Sequence, residues 1–285
     1  MKCGSFLVVL LFVTPALGES EISWSRIKGA NKLEKQERTV AKNALNTIVC
    51  YRSCESMPIA RCLRAQPKNK AAQRLANYVV FLASKGLSLE AVSKIIAKRK
   101  ASVVPEKVHR ISLKGAPRVG ADKAKIEIVE YADFRCPHCA TTAPILDKIA
   151  KAFAKRVALT FKVYPLQITG PSFISAKAAL VAKRLKRFWP MKSLLFSHEG
   201  DHDLSAMVDL AQRAGIDASI FRKAMNDPEI DRSVKMEIEG NKIEGLRIGV
   251  SGTPAIFVNG KRYQLRRDEM HFRDRIEEEL ELLAD

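Results

Sequence analysis

The sequence predicts an α/β fold, one α/β domain preceded by a small all-α module, and three observations carry that reading. Positive charge is concentrated early: residues 19–110 hold 19 Lys/Arg against 7 Asp/Glu, whereas residues 111–285 hold 29 against 24. Before Ile111 the apolar residues recur at helical spacing. After it, short β-rich runs alternate with helical ones, the pattern of strands and helices sharing one sheet.

Residues 1–18, "MKCGSFLVVLLFVTPALG", carry Lys2, an apolar run from Phe6 to Val13, and Ala16 and Gly18 at a small-x-small cleavage site. They predict a secretory signal peptide and an exported, periplasmic protein, with an uncleaved membrane anchor as the alternative. The apolar run is shorter than the ~18 residues that a membrane span needs. Residues 19–100 are expected to form the helical module. Asn31 to Asn46 is polar, basic and helix-permissive, and leads into "IVCYRSCESMPIARCL" with Cys50, Cys54 and Cys62. Beyond it Leu75, Tyr78, Val79 and Leu82 make one apolar stripe, and Leu89, Val92, Ile95 and Ile96 make a second. Gly86 separates the two, and Ser88 is a candidate N-cap. A helical hairpin with a basic outer face is expected, followed by a linker over residues 101–110 containing Pro105.

In residues 111–285, "KIEIVEYADF" reads as a strand, "CPHCATTAPILDKIAKAFAKR" as a helix with Pro137 in its first turn, and "VALTFKVYPL" as a second strand. A helical insert follows at about residues 170–247. Its segments are Pro171 to Arg187, Pro190 to His198, Leu204 to Ala214, a helix capped by Asp217, and Asp231 to Arg247. "SGTPAIFVNGKRYQL" then reads as two strands joined at Asn259-Gly260, a strong hairpin signal. "DEMHFRDRIEEELELL" is a last amphipathic helix.

The chemistry sits where the first strand meets its helix. A thiol at Cys136 lies at a helix N-terminus, where unsatisfied backbone N–H groups and the positive end of the dipole favour thiolate over thiol. His138 lies between the cysteines and can add to that stabilisation. Cys139, one turn in, is expected to be more buried and to act as the resolving thiol. Stabilising the thiolate stabilises the reduced pair, so the disulfide becomes a stronger oxidant. A structural disulfide or half of a zinc site are the alternatives. Zinc would need two further ligands at matching spacing, and none of the five histidines forms such a pair with the cysteines, so no metal or cofactor is implied. A second element points the same way: Thr253-Pro254 opens the strand "AIFVNG", and a proline cannot donate to a sheet ladder. A cis bond there would leave the Thr253 backbone free to pair with an extended substrate.

In "VEYADFRCPHC", "KRFWPMKSLLFSHEGDHDL", "LAQRAGIDASIF" and "IGVSGTPAIFVNGKRY" the chain resembles the DsbA-type thiol:disulfide oxidoreductases, a thioredoxin-like fold with an inserted helical domain. The resemblance implies that Cys136 is the nucleophile, Cys139 the resolving cysteine, His138 the thiolate stabiliser and Pro254 a cis-proline. The Cys-Pro-His-Cys dipeptide, Pro137-His138, is the variant associated with strongly oxidising members. Glu130 matches a buried acid that can relay the resolving cysteine's proton, with Lys162 as its partner; a solvated strand glutamate is the alternative. Thr253 stands where the best-known oxidase has valine and is similar to the residue of isomerases. The implied function is transfer of a disulfide to reduced client proteins, with reoxidation by a quinone-linked membrane protein. The rivals are an isomerase or reductase, whose N-terminal module could oligomerise the chain, and a non-catalytic protein held on anionic envelope surfaces.

The cysteine-bearing segment weakly resembles the small helical thiol module of the CcmH family, but Cys50 and Cys54 are three residues apart rather than two, and Cys62 is extra. A structural disulfide with a spare thiol, Cys54 to Cys62 being the preferred pairing, and a second redox pair exchanging with Cys136 and Cys139 are both open. Haem attachment is disfavoured because no Cys-x-x-Cys-His occurs. Aromatics are few and the chain reads as exported, which argues against a nucleic-acid partner. Attraction to an anionic membrane surface or to acidic substrates fits the charge.

Overall fold

A computed structural model of the chain describes residues 23–52, 54 and 56–284. The expected signal peptide at residues 1–18 lies outside the described residues. The chain divides into two compact units, one up to Ser93 and one from Lys94 onward.

In the first unit, α1 (Lys35–Thr47), α2 (Ile59–Ala65) and α3 (Lys70–Ala83) pack on one another. Glu34 and Glu37 cap α1 reciprocally, each side chain accepting from the other's backbone N–H. The Asn69 side chain caps α3 by accepting from Ala72 N at 2.9 Å. The stripe Leu75, Tyr78, Val79 and Leu82 is buried, as its spacing requires. The unit holds more than a hairpin because "IARCLRA" also forms a helix, α2, too short for periodicity to reveal. Its anchor is a disulfide between Cys54 and Cys62, the preferred pairing, which leaves Cys50 as a buried thiol.

Helix α4 (Leu89–Val103) follows, with the Ser88 hydroxyl accepting from Ala91 N at 3.3 Å, and its residues from Lys94 on belong to the second unit. That unit is built on a five-stranded sheet of β1 (Arg118–Gly120), β2 (Ile126–Ala132), β3 (Val157–Val163), β4 (Ala255–Val258) and β5 (Lys261–Arg262). Its order is β1-β3-β2-β4-β5, with β2 and β3 parallel and every other pair antiparallel. The β2–β3 crossover is α5 (Pro137–Ala152), long enough to bridge parallel neighbours.

Two-residue periodicity in "IEIVEYA" assigns the faces. Ile126 and Ile128 pack with Leu146 and Ile149 of α5 and with Phe272 and Ile276 of α11 (Glu269–Leu282). Val129 and Tyr131 point the other way, into a cluster with Tyr164, Ile248, Val250 and Phe257. Glu130 therefore shares the face of Ile126 and Ile128, beneath α5, and is fully buried. The solvated-glutamate alternative is thereby removed.

The insert is five helices: α6 (Gly170–Arg184), α7 (Phe188–Ser197), α8 (Leu204–Arg213), α9 (Ala218–Asn226) and α10 (Pro228–Arg247). Asp203 and Asp217 cap α8 and α9, each side chain accepting backbone N–H groups of the first turn. Helix α10 begins three residues ahead of the expected Asp231, because Asp227 caps it and Pro228 occupies its first position. The Cβ of any other residue at Gly245 would meet the Tyr164 ring at 2.5 Å, so this glycine lets α10 lie against it. In the β4–β5 hairpin Asn259 and Gly260 have φ of 49° and 75°, the left-handed pair that a two-residue type I′ turn needs. Among the described residues no helix is long and apolar enough to cross a membrane.

Candidate active site

The loop from β2 to α5 is held by one buried carboxylate. Asp133 accepts from Arg135 N and Leu166 N, each at 2.8 Å, and from the Ser172 hydroxyl at 3.1 Å. It thus ties the end of β2 to the segment after β3 and to the start of α6. With that loop fixed, Cys136 becomes the N-cap of α5: its carbonyl accepts from Cys139 N at 3.0 Å and Ala140 N at 3.1 Å, and Pro137 takes the first helical position.

This placement separates the two thiols. Cys136 is half-exposed, beside exposed Pro137 and His138, while Cys139 is fully buried beneath the first turn. Both are free thiols, so the geometry is that of the reduced protein. The Cys136 Sγ donates to the Thr253 carbonyl at 3.3 Å. The Thr253–Pro254 peptide bond is cis. Two elements distant in sequence, the α5 N-terminus and the segment entering β4, thus meet at the exposed sulfur.

Burial pushes the Cys139 thiol far above its ordinary pKa, and the charges of Glu130 and Cys136 add to the rise. The Asp133 backbone, second only to burial in its effect, and the Thr253 hydroxyl pull the other way. Glu130 is pushed up to about 7, first by burial, against the opposing pull of the Lys192 ammonium and with the help of the Asp147 charge. Neither Glu130 carboxylate oxygen has a hydrogen-bond partner among the described residues.

The expected partnership of Glu130 with Lys162 does not form. Glu130 stands opposite Phe161 in the β2–β3 register, whereas Lys162 stands opposite Tyr131 and points to the other sheet face. There the Lys162 ammonium lies 3.1 Å from Glu244 Oε2, which also accepts from the Tyr131 hydroxyl at 2.9 Å. The cation acting on Glu130 is Lys192, from α7 of the insert, which sequence reasoning missed. Its signal was a lone lysine inside the apolar run "FWPMKSLLF". Among the described residues no group of three or more His, Cys, Asp or Glu is arranged to hold a metal.

The first unit holds three further cysteines, each buried within it. Cys50, Cys54 and Cys62 are 4%, 5% and 0% exposed, and burial pushes the Cys50 thiol up to about 11. A thiol so raised is almost wholly protonated at neutral pH and a poor nucleophile.

Comparison with known proteins accords with this geometry. Residues 112–278 match the family model described as Thioredoxin. Oxidised BdbD from Bacillus subtilis aligns with a TM-score of 0.53 at 25% identity, covering 61% of this chain and 97% of its own. The thiol-disulfide exchange protein alpha-DsbA2 from Wolbachia pipientis gives a TM-score of 0.53 at 18% identity over 65% and 94%, a likeness of fold. By sequence, the chain is 30% identical over 145 residues to the Na(+)/H(+) antiporter NhaA 1 of Salinispora arenicola, covering 50% of this chain and 22% of that protein. The chain thus spans less than a quarter of the length of such relatives.

Proposed function

The chain belongs to the thioredoxin family, and from that premise we propose that it is a DsbA-type thiol:disulfide oxidoreductase, exported to the periplasm, that passes a Cys136–Cys139 disulfide to reduced client proteins during oxidative folding. The observation that carries the reading is the division of labour at the start of α5: an accessible sulfur at Cys136, a sealed one at Cys139, and a buried, unpartnered carboxyl at Glu130.

In the oxidised protein a client thiolate attacks the half-exposed Cys136 Sγ, and a client–Cys136 disulfide forms as the Cys136–Cys139 bond breaks. The electron pair leaves on Cys139, where a buried thiolate is costly. The Glu130 carboxyl, with its pKa raised to about 7, still holds a proton near neutral pH and gives it to Cys139. The client's second thiolate then attacks its own sulfur in the mixed disulfide, and Cys136 leaves as a thiolate that His138 and the helix N-terminus stabilise. The client has lost two electrons and the cysteine pair has gained them; Glu130 recovers its proton from solvent. The segment entering β4 at Thr253 and Pro254 would receive the client backbone as a short added strand. Return to the oxidised state needs an electron acceptor, for which a quinone-linked membrane protein is the proposed partner. The basic N-terminal unit would hold the enzyme near anionic lipid headgroups.

The competing reading, isomerisation, is favoured by Thr253, and one pair of assays separates the two. Oxidised protein mixed with a reduced, unfolded multi-disulfide client should lose its own disulfide as the client gains one, with little acceleration of a scrambled client in glutathione buffer. Rapid rescue of the scrambled client without net oxidation of the reduced one would reverse the assignment.

A further inference from the structure

A carboxyl sealed in protein without a hydrogen-bond partner is slow to give or take a proton unless some group lowers the cost of its charge and some route leads outward. For Glu130 both are supplied by the helices that cover it. The Lys192 side chain is 1% exposed and its ammonium lies 2.7 Å from Asp147 Oδ1 on α5. That ammonium also sits 5.7 Å from the centre of the Phe161 ring and 5.2 Å from that of Trp189. Phe161 is the residue beside Glu130 across the β2–β3 ladder, so the cation is seated over Glu130's own neighbour. The Asp147 side chain is 30% exposed and lines an open groove of about 380 Å³ with Ala150, Trp189 and Pro190.

Resting on the reading of Glu130 as the proton donor and acceptor for Cys139, we propose that Lys192 and Asp147 are positioning residues for thiol–disulfide exchange. Lys192 is the cation by which the helical insert controls the proton on Glu130, and Asp147 both balances that cation and opens it to solvent. The charged and titratable groups acting on Glu130 are Lys192 from α7 and Asp147 and Cys139 from α5. Its partners across the two ladders are apolar: Phe161 of β3 and Ile256 of β4. The two members of the ion pair therefore act on Glu130 with opposite sign.

The test uses the full-length protein carrying a Cys136–glutathione mixed disulfide. Cys139 loses its proton to the Glu130 carboxylate and attacks Cys136; the Cys136–Cys139 bond forms and glutathione leaves as a thiolate. The rate should rise with pH as Glu130 ionises. Lys192→Met removes a favourable cation and should move the midpoint upward by about one pH unit, the lower end of the effect of a nearby opposite charge. Asp147→Asn unmasks Lys192 and should move it downward, while Lys192→Arg should stay near the parent. Opposite shifts, both lost in a Glu130→Gln background, bear the proposal out. Shifts in the same sense, or none, overturn it. If Glu130→Gln itself leaves the pH profile unaltered, the reading of Glu130 fails instead, and the proposal with it. Should Lys192→Met not fold, the direction of the Asp147→Asn shift alone decides.

Discussion

Replacing Cys136 by serine is expected to reduce disulfide donation to the rate seen without the protein, and replacing Cys139 by serine to accumulate mixed disulfides with clients that already carry a disulfide. The two outcomes differ because the two sulfurs do. Cys136 is the half-exposed member of the pair, seated at the head of α5 within 3.3 Å of the Thr253 carbonyl, so a client reaches it. Cys139 is sealed beneath the first turn and acts only on the Cys136 sulfur, once that is bonded to a client. Serine at 136 leaves nothing to attack. Serine at 139 leaves a Cys136 thiolate that attacks the disulfide of an oxidised client and expels one client thiolate, but no thiol to release what it has captured. Non-reducing electrophoresis after an acid quench reads both. Serine at Cys50 should leave the activity intact, since that thiol is buried and its pKa is pushed up to about 11. Retention of activity by Cys136→Ser would remove the basis of the mechanism.

Stability should respond most to Arg99. Its guanidinium is fully buried and lies 2.5 Å from both Asp274 Oδ2 and Glu278 Oε2, joining the end of α4 to α11. Alongside it Arg275 donates to the Ser102 carbonyl at 3.0 Å and pairs with Glu279 at 2.7 Å. Removing Arg99 takes away a counter-charge 2.5 Å from a carboxylate whose side chain is only 3% exposed. Arg99→Ala should therefore destabilise the second unit by about 3–5 kcal/mol, whereas Arg99→Met combined with Glu278→Leu should recover most of that loss. Urea unfolding measures it cleanly if Trp24 is first replaced by phenylalanine. The remaining tryptophan, Trp189, then reports the second unit alone. A cost below about 1 kcal/mol would mean that the cluster behaves like a surface ion pair.

What the sequence made legible was whatever local chemistry dictates. The alternation in "IEIVEYA" sorts residues between sheet faces, and a strand running into a cysteine followed by proline marks a helix start. Asn259-Gly260 demands a tight turn because few other pairs accept two left-handed conformations. The misses came where distant parts of the chain decide. Strand β1 is three residues long and exists because β3 offers it an edge, leaving no pattern to read. The resemblance pairs Glu130 with Lys162 on the next strand, but a shift of one residue along a strand reverses the face. Lys192 reaches the site from a helix 62 residues away in sequence, and only the packing of α7 on α5 brings it there.

The central claim, that the chain gives disulfides away, is tested most directly by the reduction potential of the Cys136–Cys139 pair. Equilibration in glutathione buffers with alkylation read peptide by peptide scores this pair apart from Cys50, Cys54 and Cys62. A value near or above about −180 mV is the result the account predicts, because such a disulfide is readily reduced by client thiols. A value near about −270 mV would make the same site a reductant and contradict it.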